Sequence, residues 1–139
     1  MDPVRLHLLI NHVPVVLALT GTFALVFAMF RARHGIRVYA TASLALAAIT
    51  ILPTYFTGGL AARALAGPFM PSAAVDGHQL LARAAALLIV VAGLVATVAW
   101  RRLVRYPREL RMPWSLRAAL VVTALSAAVA ATSAVLLGE

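Results

Sequence analysis

The sequence is most informative in what it lacks. It contains no cysteine, which excludes disulfide frameworks, thiolate zinc sites, iron–sulfur clusters and thioether-attached haem. Lysine is absent too, and only 12% of the 139 residues are charged, about half the share of an ordinary soluble domain. In contrast, 63% of the residues are apolar and the mean hydropathy is +0.97. A soluble core of this size could not bury so much apolar surface, so we expect an integral membrane protein with a single domain over residues 1–139.

Four apolar stretches are long enough to cross a bilayer, whose hydrocarbon core of about 30 Å takes roughly twenty helical residues. These spans are predicted near residues 4–30, 36–57, 78–100 and 113–137. Asp2 and Pro3 are typical of a helix start. The pair Gly58-Gly59 is expected to end the second span, and Asp76 to cap the third. The first apolar stretch is too long for a signal peptide, so it is predicted to remain as a mature helix. The predicted fold class is therefore all-α, a membrane four-helix bundle.

The arginines are distributed unevenly between the two ends of this bundle. Nine of the twelve flank the first and third connections, whereas Arg5, Arg63 and Arg83 lie at the other end with three of the four acidic residues. The positive-inside rule then places both termini and the 58–77 connection on the periplasmic face of a bacterial inner membrane. The arginine segments adjoin the spans and lack interleaved stacking aromatics, which indicates lipid headgroup contacts rather than nucleic-acid binding.

Three of the four histidines belong to the predicted periplasmic half: His7, His12 and His78. Such side chains at membrane depth cost free energy unless they are paired, so they indicate a functional site. Measured along the helices from the arginine-rich end, His7 lies about 34 Å and His78 about 33 Å away, and His12 about 27 Å. His7 and His78 are therefore expected to be level. His34, in the arginine-rich connection, is interpreted as an interfacial residue.

The first span has a small and polar face that carries His7, Asn11, Pro14, Ala18 and Gly21. His12 lies about 140° away from His7 around a straight helix, so the two rings could not reach one ion. Pro14 changes this expectation, because it removes the hydrogen bond to the carbonyl of Ile10 and predicts a kink beside the histidines.

Further polar side chains are predicted near this end of the bundle. Arg83 follows His78 on the third span, and a buried arginine there requires an anion such as Asp76, a haem propionate or a quinone oxygen. Thr54 and Tyr55, near the end of the second span, supply hydroxyls around the same volume. Asn11 or Thr54 is expected to orient an imidazole through its second ring nitrogen.

Residues 6–15, which read LHLLINHVPV, resemble the start of a family of small bacterial four-helix membrane proteins with a His-x4-His-x-Pro motif. The similarity extends to residues 52–58, LPTYFTG, and to the histidine that opens the third helix. This resemblance implies a b-type haem protein or an accessory subunit of a redox complex. It also implies that His7, His12 and His78 are the candidate ligands.

The leading hypothesis is a membrane cytochrome that holds haem b near the periplasmic face and passes electrons from a donor such as quinol to a partner subunit. On depth, the preferred ligand pair is His7 with His78, and His12 either replaces His7 after the Pro14 kink or serves a second site. Ligation by two histidines suits electron transfer because it leaves no open axial position, so the chain is expected to be a carrier rather than an enzyme by itself. One alternative is a copper or zinc site made by the same histidines, with Met70 as a further ligand. The other is a non-catalytic scaffold or assembly subunit.

Overall fold

The computed structural model describes residues 2–31, 33–65, 72–106 and 114–136. These residues are helical and include no β-strand. The helices are α1 (Pro3–Ile10), α2 (His12–Phe30), α3 (His34–Leu65), α4 (Ser72–Arg105) and α5 (Trp114–Leu136). The all-α prediction is confirmed, and α1 and α2 together make the first of four helical passes.

The start and the interruption of the first pass lie where the sequence predicts them. The Asp2 carboxylate accepts a hydrogen bond of 3.0 Å from the Val4 N–H, and Pro3 occupies the first turn, so this N-cap is confirmed. The regular helix is interrupted at Asn11, between Ile10 and the proline that cannot donate to its carbonyl.

The ends of α3 and α4 differ from the prediction. Gly58-Gly59 does not end the second helix, because α3 continues to Leu65; no described glycine has a positive φ, so both fit regular helix. Asp76 does not cap the third pass, since α4 begins four residues earlier, at Ser72. At about 1.5 Å per residue, the 32 residues of α3 span about 48 Å, well beyond the hydrocarbon core of a bilayer.

Three described segments are long and apolar enough to cross a membrane: Val4–Phe30, His34–Ala64 and Gln79–Arg105. The fourth pass contains a shorter described apolar stretch, Leu116–Thr132. Many large apolar side chains face outward; Phe23, for example, is 78% exposed. An outer surface of this kind suits lipid rather than water, and the chain is a membrane protein.

The four passes pack in a ring, in which α2 contacts α3 and α5, and α4 contacts α3 and α5. The buried core has two layers, and each layer takes residues from all four passes. One layer combines Leu25 with Ala40 and Leu120, and the other combines Ala18 with Ile51 and Ala131. From the Leu25 layer to the Ala18 layer, residue numbers fall along α2 but rise along α3 and α5. The α2 helix is therefore antiparallel to both. The short α1 packs mainly on α3.

Small side chains hold these helices close together. At Gly21 a Cβ would lie 3.1 Å from the Ala40 carbonyl oxygen, and at Gly93 it would overlap the Cβ of Ala48. Most of the core is alanine, as is typical of membrane helices that pack by close backbone approach. The alanines that are at most 3% exposed are Ala18, Ala28, Ala40, Ala47, Ala92, Ala96, Ala99, Ala124, Ala127 and Ala131.

Candidate functional site

The candidate site lies where α1 packs against the C-terminal half of α3. Pro14 is fully buried, and its missing N–H leaves the Ile10 carbonyl without its usual helical partner. The hydroxyl of Thr54, on α3, lies 3.4 Å from that carbonyl oxygen and 3.0 Å from the Thr50 carbonyl oxygen. Thr54 is buried, so its hydroxyl serves the proline-induced break. Among the described residues, the Thr54 hydroxyl bonds to backbone carbonyls, and its predicted contact with an imidazole stays a prediction.

His7 contacts α3 at the next turn of that helix. Its Nδ1 lies 3.3 Å from the Oγ1 of Thr57. Its ring also packs against Gly58, where a Cβ would lie 3.0 Å from the ring carbon Cε1. The ring therefore occupies space that any side chain at Gly58 would need. Thr57 and Gly58 are consecutive residues of α3, so both contact the same imidazole.

The hydrogen bonds of Thr57 indicate which His7 nitrogen carries the proton. Thr57 has one hydroxyl proton, and its Oγ1 lies 2.8 Å from the Pro53 carbonyl oxygen and 3.1 Å from that of Thr54. With that proton directed to a carbonyl, Oγ1 accepts the hydrogen bond from the Nδ1–H of His7. In the neutral ring the lone pair then belongs to Nε2, the nitrogen that metal-binding histidines commonly use while Nδ1–H is held by another group.

Asn11 adds an acceptor on the same side of the first pass. It follows His7 by four residues, so the two side chains lie on neighbouring turns of one face. Its Oδ1 is buried and, among the described side chains, is the one buried nitrogen or oxygen atom without a hydrogen-bond partner. A buried acceptor of this kind costs about 1–3 kcal/mol. The position therefore suits one further hydrogen-bond donor.

Two of the predicted site residues lie on the outside of the protein. His12 is exposed at the first residue of α2, so within this chain its ring does not point into the bundle with His7. Tyr55 is 52% exposed and packs edge-to-face against Phe56, with ring centroids 6.0 Å apart. An exposed tyrosine at a helix end is typical of the aromatic belt of membrane proteins.

The prediction that Arg83 is buried is wrong. Its side chain is exposed, and its guanidinium donates a hydrogen bond of 3.3 Å to Gln79, one turn earlier on α4. The long arginine side chain reaches outward from the helix, which avoids the cost of a buried charge.

The remaining candidates are His78, Asp76 and Met70. His78 lies in α4, but its side chain is outside the described residues, as is that of Asp76. Met70 is outside them altogether. The described side chains include no group of three or more histidine, aspartate or glutamate residues that could hold a metal ion. The meeting of His7 and His78 thus stays a prediction.

Thr57 and Gly58 are the site residues that the sequence reasoning did not single out. The sequence does carry a signal for them, because Thr50, Thr54 and Thr57 recur at the spacing of one helical face. Because Gly58-Gly59 was expected to end the helix, Thr57 was not recognised as part of this face. Comparison with known protein families, characterised proteins and solved structures finds no match to this chain, so the resemblance to small four-helix haem proteins stays a prediction.

Proposed function

We propose that this chain is a b-type haem protein of the bacterial inner membrane that serves as an electron-transfer subunit. The observation that carries the proposal is the His7–Thr57 hydrogen bond beside the buried, unpartnered Oδ1 of Asn11. The bond holds the imidazole in the tautomer that suits metal ligation, and the amide oxygen suits a second donor close by. Haem would be held there by His7 and would supply a one-electron carrier.

His78 is the second residue that would hold the haem in this proposal. It lies on α4, which packs against the same helix, α3, that holds His7. The predicted depths of the two histidines from the arginine-rich end agree to within about one residue's rise. Asn11 Oδ1 would accept the remaining N–H of the second imidazole. The exposed guanidinium of Arg83 would bind a propionate at the surface.

The proposed orientation of the bundle rests on the distribution of its charge. The described arginines near the end of α2, the start of α3, the end of α4 and the start of α5 lie at one end of the antiparallel bundle, and His7 lies at the other. The positive-inside rule puts the arginine-rich end in the cytoplasm and the His7 end, with both termini, toward the periplasm. A membrane donor such as quinol and a periplasmic acceptor subunit are the proposed redox partners.

The test is a difference spectrum of the purified protein, reduced with dithionite minus oxidised, after expression with ample haem. His7→Ala should lose the haem signal, whereas His12→Ala is the matched control and should keep it, because His12 is exposed on the same pass. Thr57→Val should retain haem about tenfold less tightly, as removal of a ligand-orienting hydrogen bond does elsewhere. His7→Met should restore a ligand and raise the reduction potential.

The proposal is overturned if the wild-type protein takes up no haem, or if His7→Ala and His12→Ala give the same spectrum. Metal analysis of the same samples distinguishes the alternative of a copper or zinc site, which would show bound metal and no haem band.

A second candidate function, a non-catalytic scaffold, is favoured by a specific observation. The polar side chains of His7 and Arg83 are bonded within the chain itself, to Thr57 and Gln79. In that case His7→Ala would lower the free energy of unfolding by about 0.5–1.5 kcal/mol, the usual contribution of one hydrogen bond, and would change no bound cofactor.

A further inference from the structure

A groove opens at the arginine-rich end of the bundle, opposite the His7 site. It lies between α2, α3 and α5 and has a volume of about 440 Å³. Sites that bind small molecules typically measure roughly 300–1,000 Å³, so the groove is large enough for part of a ligand. Since the groove is at the other end of the protein, a ligand bound there is independent of haem at the His7 site.

Two arginine side chains and an indole ring line this groove. Arg37 comes from the first turn of α3, and Arg117 from the first turn of α5. Trp114, at the start of α5, is 81% exposed. A guanidinium presents a planar fork of donors that matches a phosphate, and tryptophan at a helix end is typical of the headgroup level of a bilayer.

The rest of the groove is apolar. Leu25 and Leu120 form part of its buried lining, while Met29 and Val122 are exposed along its sides. Thr41 also lines it, but its hydroxyl donates to the carbonyl oxygens of its own helix, at 2.9 Å to that of Arg37. This lining therefore suits a hydrocarbon chain.

We propose that the groove binds one anionic phospholipid. Its phosphate lies between Arg37 and Arg117, the indole of Trp114 lies at headgroup level, and one acyl chain follows the apolar lining of α2 and α5. The positive charge at the opening of the groove determines which lipid class it prefers. Two guanidinium groups favour a headgroup with net negative charge over a zwitterionic headgroup, because they would repel the cation of the latter.

The test is native mass spectrometry of the full chain, with phosphatidylglycerol and phosphatidylcholine of identical acyl chains as the probes. We expect a preference of roughly 30-fold for phosphatidylglycerol, which corresponds to about 2 kcal/mol, or about 1 kcal/mol for each arginine. The double variant Arg37→Gln/Arg117→Gln should lose the preference. The matched control Arg101→Gln/Arg102→Gln removes two exposed arginines of α4 that do not line the groove, and it should keep the preference.

A second variant tests the apolar part without a change of charge. Ala118 lines the groove on α5, and Ala118→Trp adds bulk to that lining, so it should weaken phosphatidylglycerol binding while circular dichroism shows the helices intact. Equal binding of the two lipids, or retention of the preference by the double arginine variant, would overturn the proposal. Full displacement of the lipid by inorganic phosphate would also overturn it, because the groove would then be a simple anion site.

Discussion

The two adjacent glycines of α3 allow a sharp test of the contact that holds His7. A Cβ at Gly58 would lie 3.0 Å from Cε1 of the imidazole, whereas a Cβ at Gly59 would have no neighbour within 4 Å. Both residues lie in the same turn of the same helix, and no described glycine has a positive φ. Gly58→Ala and Gly59→Ala therefore change the backbone equally and differ in the space they fill.

The magnitudes follow from these distances. Alanine in place of glycine inside a helix is worth about 1 kcal/mol, so Gly59→Ala should raise the free energy of unfolding by about that amount. At Gly58 the new methyl group would be about 0.4 Å short of the ordinary contact distance of 3.4 Å. The His7 ring must move, and its 3.3 Å hydrogen bond to Thr57 is already long. Overpacking costs about 1–3 kcal/mol, so the free energy of unfolding of Gly58→Ala should be lower than that of Gly59→Ala by this amount.

The assay is reversible unfolding of the detergent-solubilised protein, measured for both glycine variants and for each combined with His7→Ala. Removal of the ring should abolish the difference between the two glycine positions, which the double-mutant cycle reports directly. In the haem assay, Gly58→Ala should also weaken cofactor retention and Gly59→Ala should not. Equal stabilisation by both alanines, with His7 present, would show that the ring does not pack on Gly58 and would refute the reasoning.

Two further pairs of substitutions, each a variant with its control, test the packing that positions the site. Gly93→Ala should lower the free energy of unfolding by about 1–3 kcal/mol, because its methyl group would overlap α3. The control Gly77→Ala, on the same helix, meets nothing within 4 Å and should be neutral or stabilising. Equal effects of the two substitutions would contradict the close approach of α3 and α4. Thr54→Val should cost about 0.5–1.5 kcal/mol by leaving the Ile10 carbonyl unpaired, and Thr50→Val, whose hydroxyl bonds only within α3, should cost less in the same unfolding assay.

Hydropathy and local signals predicted most of the fold. Four apolar stretches became four helical passes, Asp2 caps the first, and the break at Asn11 follows from Pro14. These features depend on interactions between residues a few positions apart, so they can be recognised in the sequence. The close approach of α2 and α3 at Gly21 agrees with the small-residue face predicted for the first span.

The features that were missed depend on contacts between distant residues. Gly58-Gly59 reads as a helix end, yet in the fold Gly58 makes room for His7, fifty-one positions earlier in the chain. Arg83 was expected inside the bundle from its depth, but depth along a helix does not specify the side on which a long side chain emerges. Its hydrogen bond to Gln79 lies on the outer surface.

The alanine-lined interior also limits which substitutions this protein can accept. Both core layers draw on all four passes, and residues such as Ala40, Ala47 and Ala96 have no exposed surface. Because the backbones meet at methyl-group separation, a larger side chain at any of these three positions would push neighbouring helices apart. A single such replacement would therefore disturb contacts on more than one pass, although it adds neither charge nor polarity.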